Sequence, residues 1–393
     1  MKKLLVALAV ILAAAQAEAA QKIITYDAAF KPGVKAAVKW LGGTVTREFK
    51  YVNAVVADLP AHVKDASIYS VEGVKTVADD SYRRWIEAMP QALPLASVYS
   101  GLNNIKEGDV PPVPAPKAEA APSAEIPWGI GRVNAPAAWD YTAGSGVKVA
   151  VIDTGIDYTH PDLAANYKGG WNAVTGTGDP KDDQGHGTHV AGTIAAARDG
   201  SGVAGVAPAA ELYAVKVLDK NGSGQYSWII AGIEWAIEKK VDVINMSLGG
   251  PSGTDALEQV MAKAAEAGVT VVCAAGNDGG AVNYPAHYPQ AIAVSASDSA
   301  DKIASFSSRG PEIAVIAPGV KINSARMGGG YVNISGTSMA SPHVAGLAAL
   351  AVGAGAKGPE QVRAALTGAA AKLPGLTAEQ QGAGLVDAFK LVR

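Results

Sequence analysis

The sequence predicts an α/β fold of three layers, with a mostly parallel central sheet between helices and a small α+β unit ahead of it. Two observations predict the sheet. From Ile126 onward, short continuous apolar runs alternate with helical segments, as parallel strands buried on both faces and joined by crossover helices require. Polar residues then recur where those runs end, which is where loops and sites gather in such a sheet. A third observation separates the two units. Residues 109–125, DVPPVPAPKAEAAPSAE, are Pro/Ala-rich without apolar periodicity and read as an exposed, protease-sensitive linker.

The elements follow in order. Residues 1–19 carry a basic start at Lys2 and Lys3, a short apolar run from Leu4 to Ala15, and small-residue cleavage sites AQA and AEA. That pattern is a secretory signal peptide rather than a retained anchor, and it predicts a secreted, extracellular protein. Residues 21–85 contain the strand-like KIITYD and AVVADLP, the helical PGVKAAVKWLG closed by glycine, and a further strand and turn in VEGVKTVADD. Residues 86–125 form the processing linker, and 126–393 the larger domain. Within the latter, VKVAVID, ELYAVKVLD, VDVINMSLG and VTVVCAAGN are strands. HGTHVAGTIAAA, YSWIIAGIEWAIEKK and TDALEQVMAKAAEAG are helices.

Composition narrows the function. With 393 residues, 49% hydrophobic and 18% charged, the chain is long enough for more than one folding unit. A formal net charge of −3 argues against nucleic acid or an anionic membrane as the main partner. One cysteine rules out an internal disulfide framework. Cys273, inside VTVVCAAGN, reads as a core thiol, with a catalytic cysteine as the sharper alternative.

A hydroxyl nucleophile needs an adjacent base, and an imidazole base needs a carboxylate to fix its tautomer. Asp153 leaves a buried strand in VAVIDTGID, which is costly unless the carboxylate finds a partner. His186 stands between two glycines at a helix start in DDQGHGTHVAG. Ser338 opens another helix in GTSMASPHVAG, where backbone N–H groups can hold an anion; a plain helix cap is its bland alternative. Asn277, in AAGND, offers a second donor.

These three motifs, in the order Asp, His, Ser, resemble the subtilisin-like serine proteases, the subtilase family. The resemblance runs from about Ile126 to Arg393, and residues 21–85 resemble the family's inhibitory propeptide, a small ferredoxin-like domain. It implies a secreted serine endopeptidase made as a self-processing zymogen, likewise monomeric, acting on proteins and peptides. Asp153 orients, His186 is general base and then acid, Ser338 is the nucleophile, Asn277 binds the oxyanion, and Met339 packs behind the nucleophile. The segments NGSGQYSW and SLGG resemble the family's substrate-binding strands. They assign Gly222, Ser223, Gly224, Ser247, Leu248, Gly249, Ala274, Ala275 and Gly276 to the cleft, and Tyr226, Ile229 and Leu248 to a distant apolar pocket. Large uncharged side chains are the expected preference. The loop Asn277–Pro285 is shorter than in the family.

The resemblance also implies structural calcium, held by Asp162, Asp199 and the carbonyls of Ala197, Ser201 and Val203, a hard-oxygen set. The amide that the family adds near the mature N-terminus is missing at Ala124 and Glu125. The HGTH spacing of His186 and His189 invites zinc but lacks the glutamate of a zinc helix, so His189 is read as structural. Asp157 and His343 are read as structural too, and His62, His160 and His287 have no supporting constellation. A fold-keeping binding protein would have lost one of the catalytic residues, and none is missing. A peptide ligase has no feature in its favour.

Overall fold

The computed structural model describes residues 20–86 and 125–393. The signal peptide expected at 1–19, the linker after residue 86 and Ala124 lie outside them. By compactness the chain divides into residues 20–81 with Thr254–Ala256, and Tyr82–Gly253 with Leu257–Arg393.

The first unit runs β1 (Ala20–Tyr26), a helix Lys31–Trp40, β2 (Thr44–Glu48), β3 (Ala54–Leu59), a short helix Asp65–Tyr69 and β4 (Val74–Asp79). The strands pair antiparallel in the order β2-β3-β1-β4, which is the βαββαβ arrangement of ferredoxin-like units. Its core is local: Ile24, Val34, Val38, Val55, Leu59 and Ile68 bury one face of the sheet under the helices. β2 was not legible as a strand because its residues alternate between exposed and half-buried, with no apolar run.

The second unit carries β5 (Arg83–Arg84), β6 (Lys148–Asp153), β7 (Tyr167–Asn172), β8 (Glu211–Lys216), β9 (Ser223–Gly224), β10 (Val243–Met246), β11 (Thr270–Ala274), β12 (Ala291–Ser297), β13 (Ile313–Pro318), β14 (Ile322–Ala325), β15 (Tyr331–Ile334), β16 (Ala370–Ala371) and β17 (Leu385–Val386). Its main sheet has the order β16-β17-β13-β12-β11-β10-β6-β8-β7. All neighbours are parallel except β16 on β17. β6 lies inside the sheet, so VKVAVID reads as one apolar run because both of its faces are covered.

Helices cover both faces. Val149 and Val151 of β6 share a core with Val190, Ile194, Val344 and Leu347, from the helices His186–Ala195 and Thr337–Gly353. On the opposite face lies the helix Tyr226–Glu238. A Cβ added at its Gly232 would fall 2.6 Å from Val217 and 3.1 Å from Val215, so the glycine lets the helix sit close to the sheet. The helix Thr337–Gly353 is buried from Thr337 to Ala351, on all sides rather than along one stripe.

Candidate active site

Three polar residues end up at the C-terminal edge of the sheet. Asp153 closes β6 and is fully buried. Its Oδ1 accepts the N–H of Thr154 at 2.7 Å. His186 Nδ1 lies 2.8 Å from Oδ1 and 3.0 Å from Oδ2. Because both neighbours are carboxylate oxygens, Nδ1 must carry the proton, which leaves the lone pair on Nε2. That Nε2 is buried and has no hydrogen-bond partner among the described residues. Burial alone would push the imidazole's pKa down, but the charge and hydrogen bond of Asp153, with Asp182 beyond, raise it above the ordinary value.

The glycines flanking His186 have separate reasons. Gly185 has φ 108°, a left-handed conformation that L side chains rarely adopt. A Cβ on Gly187 would sit 2.1 Å from the Gly155 carbonyl oxygen, so only glycine lets the helix start approach the turn after Asp153. Asp182 caps this start. Its Oδ1 accepts Gln184 and Gly185 N–H at 3.0 and 2.9 Å, and its Oδ2 accepts the Thr188 N–H and hydroxyl at 2.9 and 2.6 Å.

Ser338 stands in the first turn of its helix. Pro342 lies four residues later and has no N–H to give the Ser338 carbonyl. The Ser247 hydroxyl fills that role at 2.8 Å, while the Ser338 hydroxyl donates to the Ser247 carbonyl at 3.1 Å. The expected partner of that hydroxyl was the imidazole, and the structure turns it to β10's end instead. Asn245 backs this pair: it donates to Ser247 Oγ at 2.9 Å and accepts from Ser341 at 2.8 Å, all fully buried. Asn277 Oδ1 accepts both the N–H and the hydroxyl of Thr337, at 2.8 and 2.9 Å, so its NH₂ is the end left for another ligand.

Leu248, Gly249, Ala274 and Gly276 line one small cavity with Ser338 and Asn277, joined by Trp85, Asn283 and Thr337. Gly222, Gly224 and Gly249 meet residues 83–86 through main-chain groups, whereas Ser223 turns its N–H to the Asp219 carboxylate and its carbonyl to the Asp219 N–H. β5 pairs antiparallel with β9, Trp85 and Ile86 donate to the Gly222 carbonyl, and Gly249 donates to the Trp85 carbonyl at 3.0 Å. Tyr226 meets the Trp85 ring edge-on, 4.8 Å between centroids. Ala275 and Ile229 are fully buried; Ala275 bonds to Val294 and Asn283 within the sheet and loop, outside the cavity wall.

Sequence reasoning missed Lys216. It is almost fully buried at the end of β8, directly in register with Asp153. All three of its N–H bonds are used: on the Thr154 carbonyl at 2.7 Å, the Leu218 carbonyl at 2.8 Å and the Asp183 carboxylate at 2.6 Å. The lysine thus ties the turn after Asp153 to the loop before His186.

Two further histidines, His189 and His343, are buried and held by main-chain carbonyls. His189 bonds to the carbonyls of Ile322 and Val332, and burial pushes it down to about 3. Burial likewise pushes His343, bonded to the Met339 carbonyl, down to about 4. Asp157 is buried; burial opposes its charge, but bonds from Thr159 and Gly328 and the nearby Lys181 hold it below the usual carboxylate range. Met339 and Cys273 are core residues, and burial keeps the thiol protonated.

Asp162, buried, accepts the Val203 N–H at 2.9 Å and the Tyr331 hydroxyl at 3.2 Å, and its carbonyl accepts the Ala197 N–H at 2.8 Å. Asp199 accepts the Ser201 N–H, and Glu125 accepts the N–H groups of Asp199 and Gly200 at 2.9 Å. Among the described residues no group of three or more His, Cys, Asp or Glu side chains could hold a metal, so a cation in this loop would depend on backbone carbonyls.

The chain is similar in sequence to known proteins over most of its length. The profile of the subtilase family matches residues 144–384. Subtilisin E of Bacillus subtilis (strain 168) is 48% identical over 317 residues, 79% of this chain and 73% of the relative. The subtilisin of Bacillus pumilus is 58% identical over 233 residues, 57% of this chain and 84% of the relative. Subtilisin Savinase of Lederbergia lenta is 54% identical over 227 residues, 57% and 83% respectively.

Proposed function

The chain belongs to the subtilase family and is a serine endopeptidase, and from that premise we propose that Asp153, His186 and Ser338 are its catalytic relay, with Asn277 binding the oxyanion. The observation that carries this is the imidazole itself, its Nδ1 held on a buried carboxylate and its Nε2 a buried acceptor with no partner among the described residues. Rotation of the Ser338 side chain off the Ser247 carbonyl delivers its proton to Nε2. The oxygen then bonds to the scissile carbonyl carbon, and the carbonyl electrons move onto oxygen. The Asn277 NH₂ and the Ser338 N–H stabilise that charge. Collapse breaks the C–N bond as His186 returns the proton to the amine. Water repeats the sequence to free the acid.

The substrate lies as an added strand between Gly222–Gly224 and Gly249, held by main-chain hydrogen bonds. Labelling with a serine-directed phosphonyl fluoride is the test. We expect one adduct per chain, mapped to Ser338 by peptide mass, with activity lost in proportion. Full activity after labelling, or an adduct elsewhere, overturns the assignment.

Residues 21–85 act as the inhibitory and folding-assisting part of a zymogen that leaves the cell by way of residues 1–19 and acts as a monomer on protein substrates. The segment 83–86, with β5 at its start, supports this, since it holds main-chain hydrogen bonds with Gly222 and Gly249 that an extended substrate would use. Maturation cuts within residues 86–125.

Calcium is the structural ion that fits the Asp162 loop. Asp162 and Asp199, with the carbonyls of Ala197, Ser201 and Val203, supply the oxygen ligands such a cation takes. The loop already wraps the carboxylate: a Cβ on Gly202 would fall 2.3 Å from Asp162 Oδ2. Glu125 stands where the family places an amide. Bound calcium would add charge neutralisation there and no chemistry at Ser338. With the enzyme phosphonylated to prevent autolysis, calcium at 100-fold over its Kd should add about 2.7 kcal/mol to stability. Scanning calorimetry should show a rise in Tm that chelator reverses and that Asp199→Ala abolishes. An unchanged Tm would remove calcium from the account.

A further inference from the structure

We propose that the substrate cleft carries a guanidinium subsite, so that the enzyme favours extended peptides with arginine two residues before an aromatic side chain. The inference rests on the reading that Tyr82–Ile86 lies as a substrate does, and it departs from the apolar pocket expected around Tyr226. Arg83 Nη1 donates to the Tyr226 hydroxyl at 3.0 Å and to the Ser252 hydroxyl at 3.3 Å. Its guanidinium carbon lies 4.8 Å from the Trp85 ring centroid and 5.9 Å from that of Tyr226. The Tyr226 hydroxyl is itself fixed, since it donates to the Ser252 carbonyl at 2.7 Å. The contacts are thus ring faces and hydroxyl oxygens, an arrangement that suits a flat, weakly hydrated guanidinium better than an ammonium.

Space is reserved for it as well. A Cβ built on Gly250 would fall 2.2 Å from Arg83 Nη2 and 2.6 Å from the guanidinium carbon. Gly250 is not at positive φ, so its backbone does not demand glycine. What the missing side chain makes room for is the arginine. The neighbouring Arg84 provides the contrast: it points to the other side of the strand and is exposed.

The test is competitive inhibition of the active enzyme by the peptide Tyr-Arg-Arg-Trp-Ile and its variants. Replacing the first arginine by alanine should raise Ki about tenfold, the equivalent of about 1.4 kcal/mol. Lysine there should fall between, and alanine for the second arginine should change Ki less than about twofold. In Gly250→Ala enzyme the parent and first-alanine peptides should bind equally. If the parent peptide fails to compete with substrate, the strand-like reading of the segment fails and the subsite with it. If it competes but the two alanine peptides bind alike, the cleft reading survives and the guanidinium subsite is overturned. If Gly250→Ala keeps the discrimination, the subsite is overturned too.

Discussion

Replacing Ser338 by alanine should leave the chain uncleaved between residues 86 and 125 and lower kcat by about 10⁶, the size such a loss takes in subtilisins. The expectation is sharp because the substitution touches little else. Among the described residues the Ser338 hydroxyl makes one hydrogen bond, to the Ser247 carbonyl, and losing a single neutral hydrogen bond costs about 1 kcal/mol. The reciprocal bond, from the Ser247 hydroxyl to the Ser338 carbonyl, survives because it uses backbone. The helix start therefore stays in place, and so does the Asn277 carboxamide on Thr337.

Two effects of this variant have to be separated. An uncleaved chain keeps residues 83–86 across the cleft, which would suppress turnover even with an intact relay. The kinetic comparison should use Ser338→Ala chain that has been cut in trans by a trace of tagged active enzyme, which is then removed. Intact mass and N-terminal sequencing report the first effect, and turnover of a peptide amide reports the second. Spontaneous maturation of purified Ser338→Ala chain would refute self-processing, and near-normal turnover after trans cleavage would refute the nucleophile.

The parts of this site that could be read from the sequence are those with a local cost. A carboxylate ending an apolar strand, as at Asp153, has to be paired, so its burial predicts a partner. Glycines around His186 announce close backbone approach, and the Gly155–Gly187 contact is the result. What stayed hidden depends on partners far apart in the chain. Lys216 meets Asp183 and Thr154 at separations of 33 and 62 residues, and no local pattern distinguishes it from a surface lysine. Asn245 and Ser341 meet across 96 residues. Pro342 was visible, but the orphaned Ser338 carbonyl it creates has meaning only once β10 brings Ser247 alongside. In the fold, the parallel strands were legible because burial on both faces leaves a continuous apolar run. The strand β5 was not, because Arg83–Arg84 pairs through main-chain groups that any sequence carries.

Replacing Asp153 by asparagine should lower kcat by about 10⁴ with KM little changed, because it sets the wrong imidazole tautomer. The structure explains why asparagine has no good orientation here. Oδ1 of Asp153 serves the Thr154 N–H and shares the His186 Nδ1 proton with Oδ2. If the asparagine oxygen stays on Thr154, its NH₂ faces Nδ1, and the ring must move its proton to Nε2. A protonated Nε2 cannot accept the Ser338 proton. If the amide turns over, the Thr154 N–H confronts another donor in a fully buried place, at a cost of about 1–3 kcal/mol. Peptide binding should survive either way, because its main-chain contacts are with Gly222, Gly224 and Gly249. The pH profile adds an independent sign. In the native protein Asp153 outweighs burial and raises the imidazole's pKa, and since the base works only when neutral, kcat/KM falls as pH drops through that raised value. Removing the charge leaves burial to act, so the acid limb should move to lower pH at a much reduced plateau. An Asp153→Asn enzyme with near-native kcat and an unmoved acid limb would mean that another group orients His186.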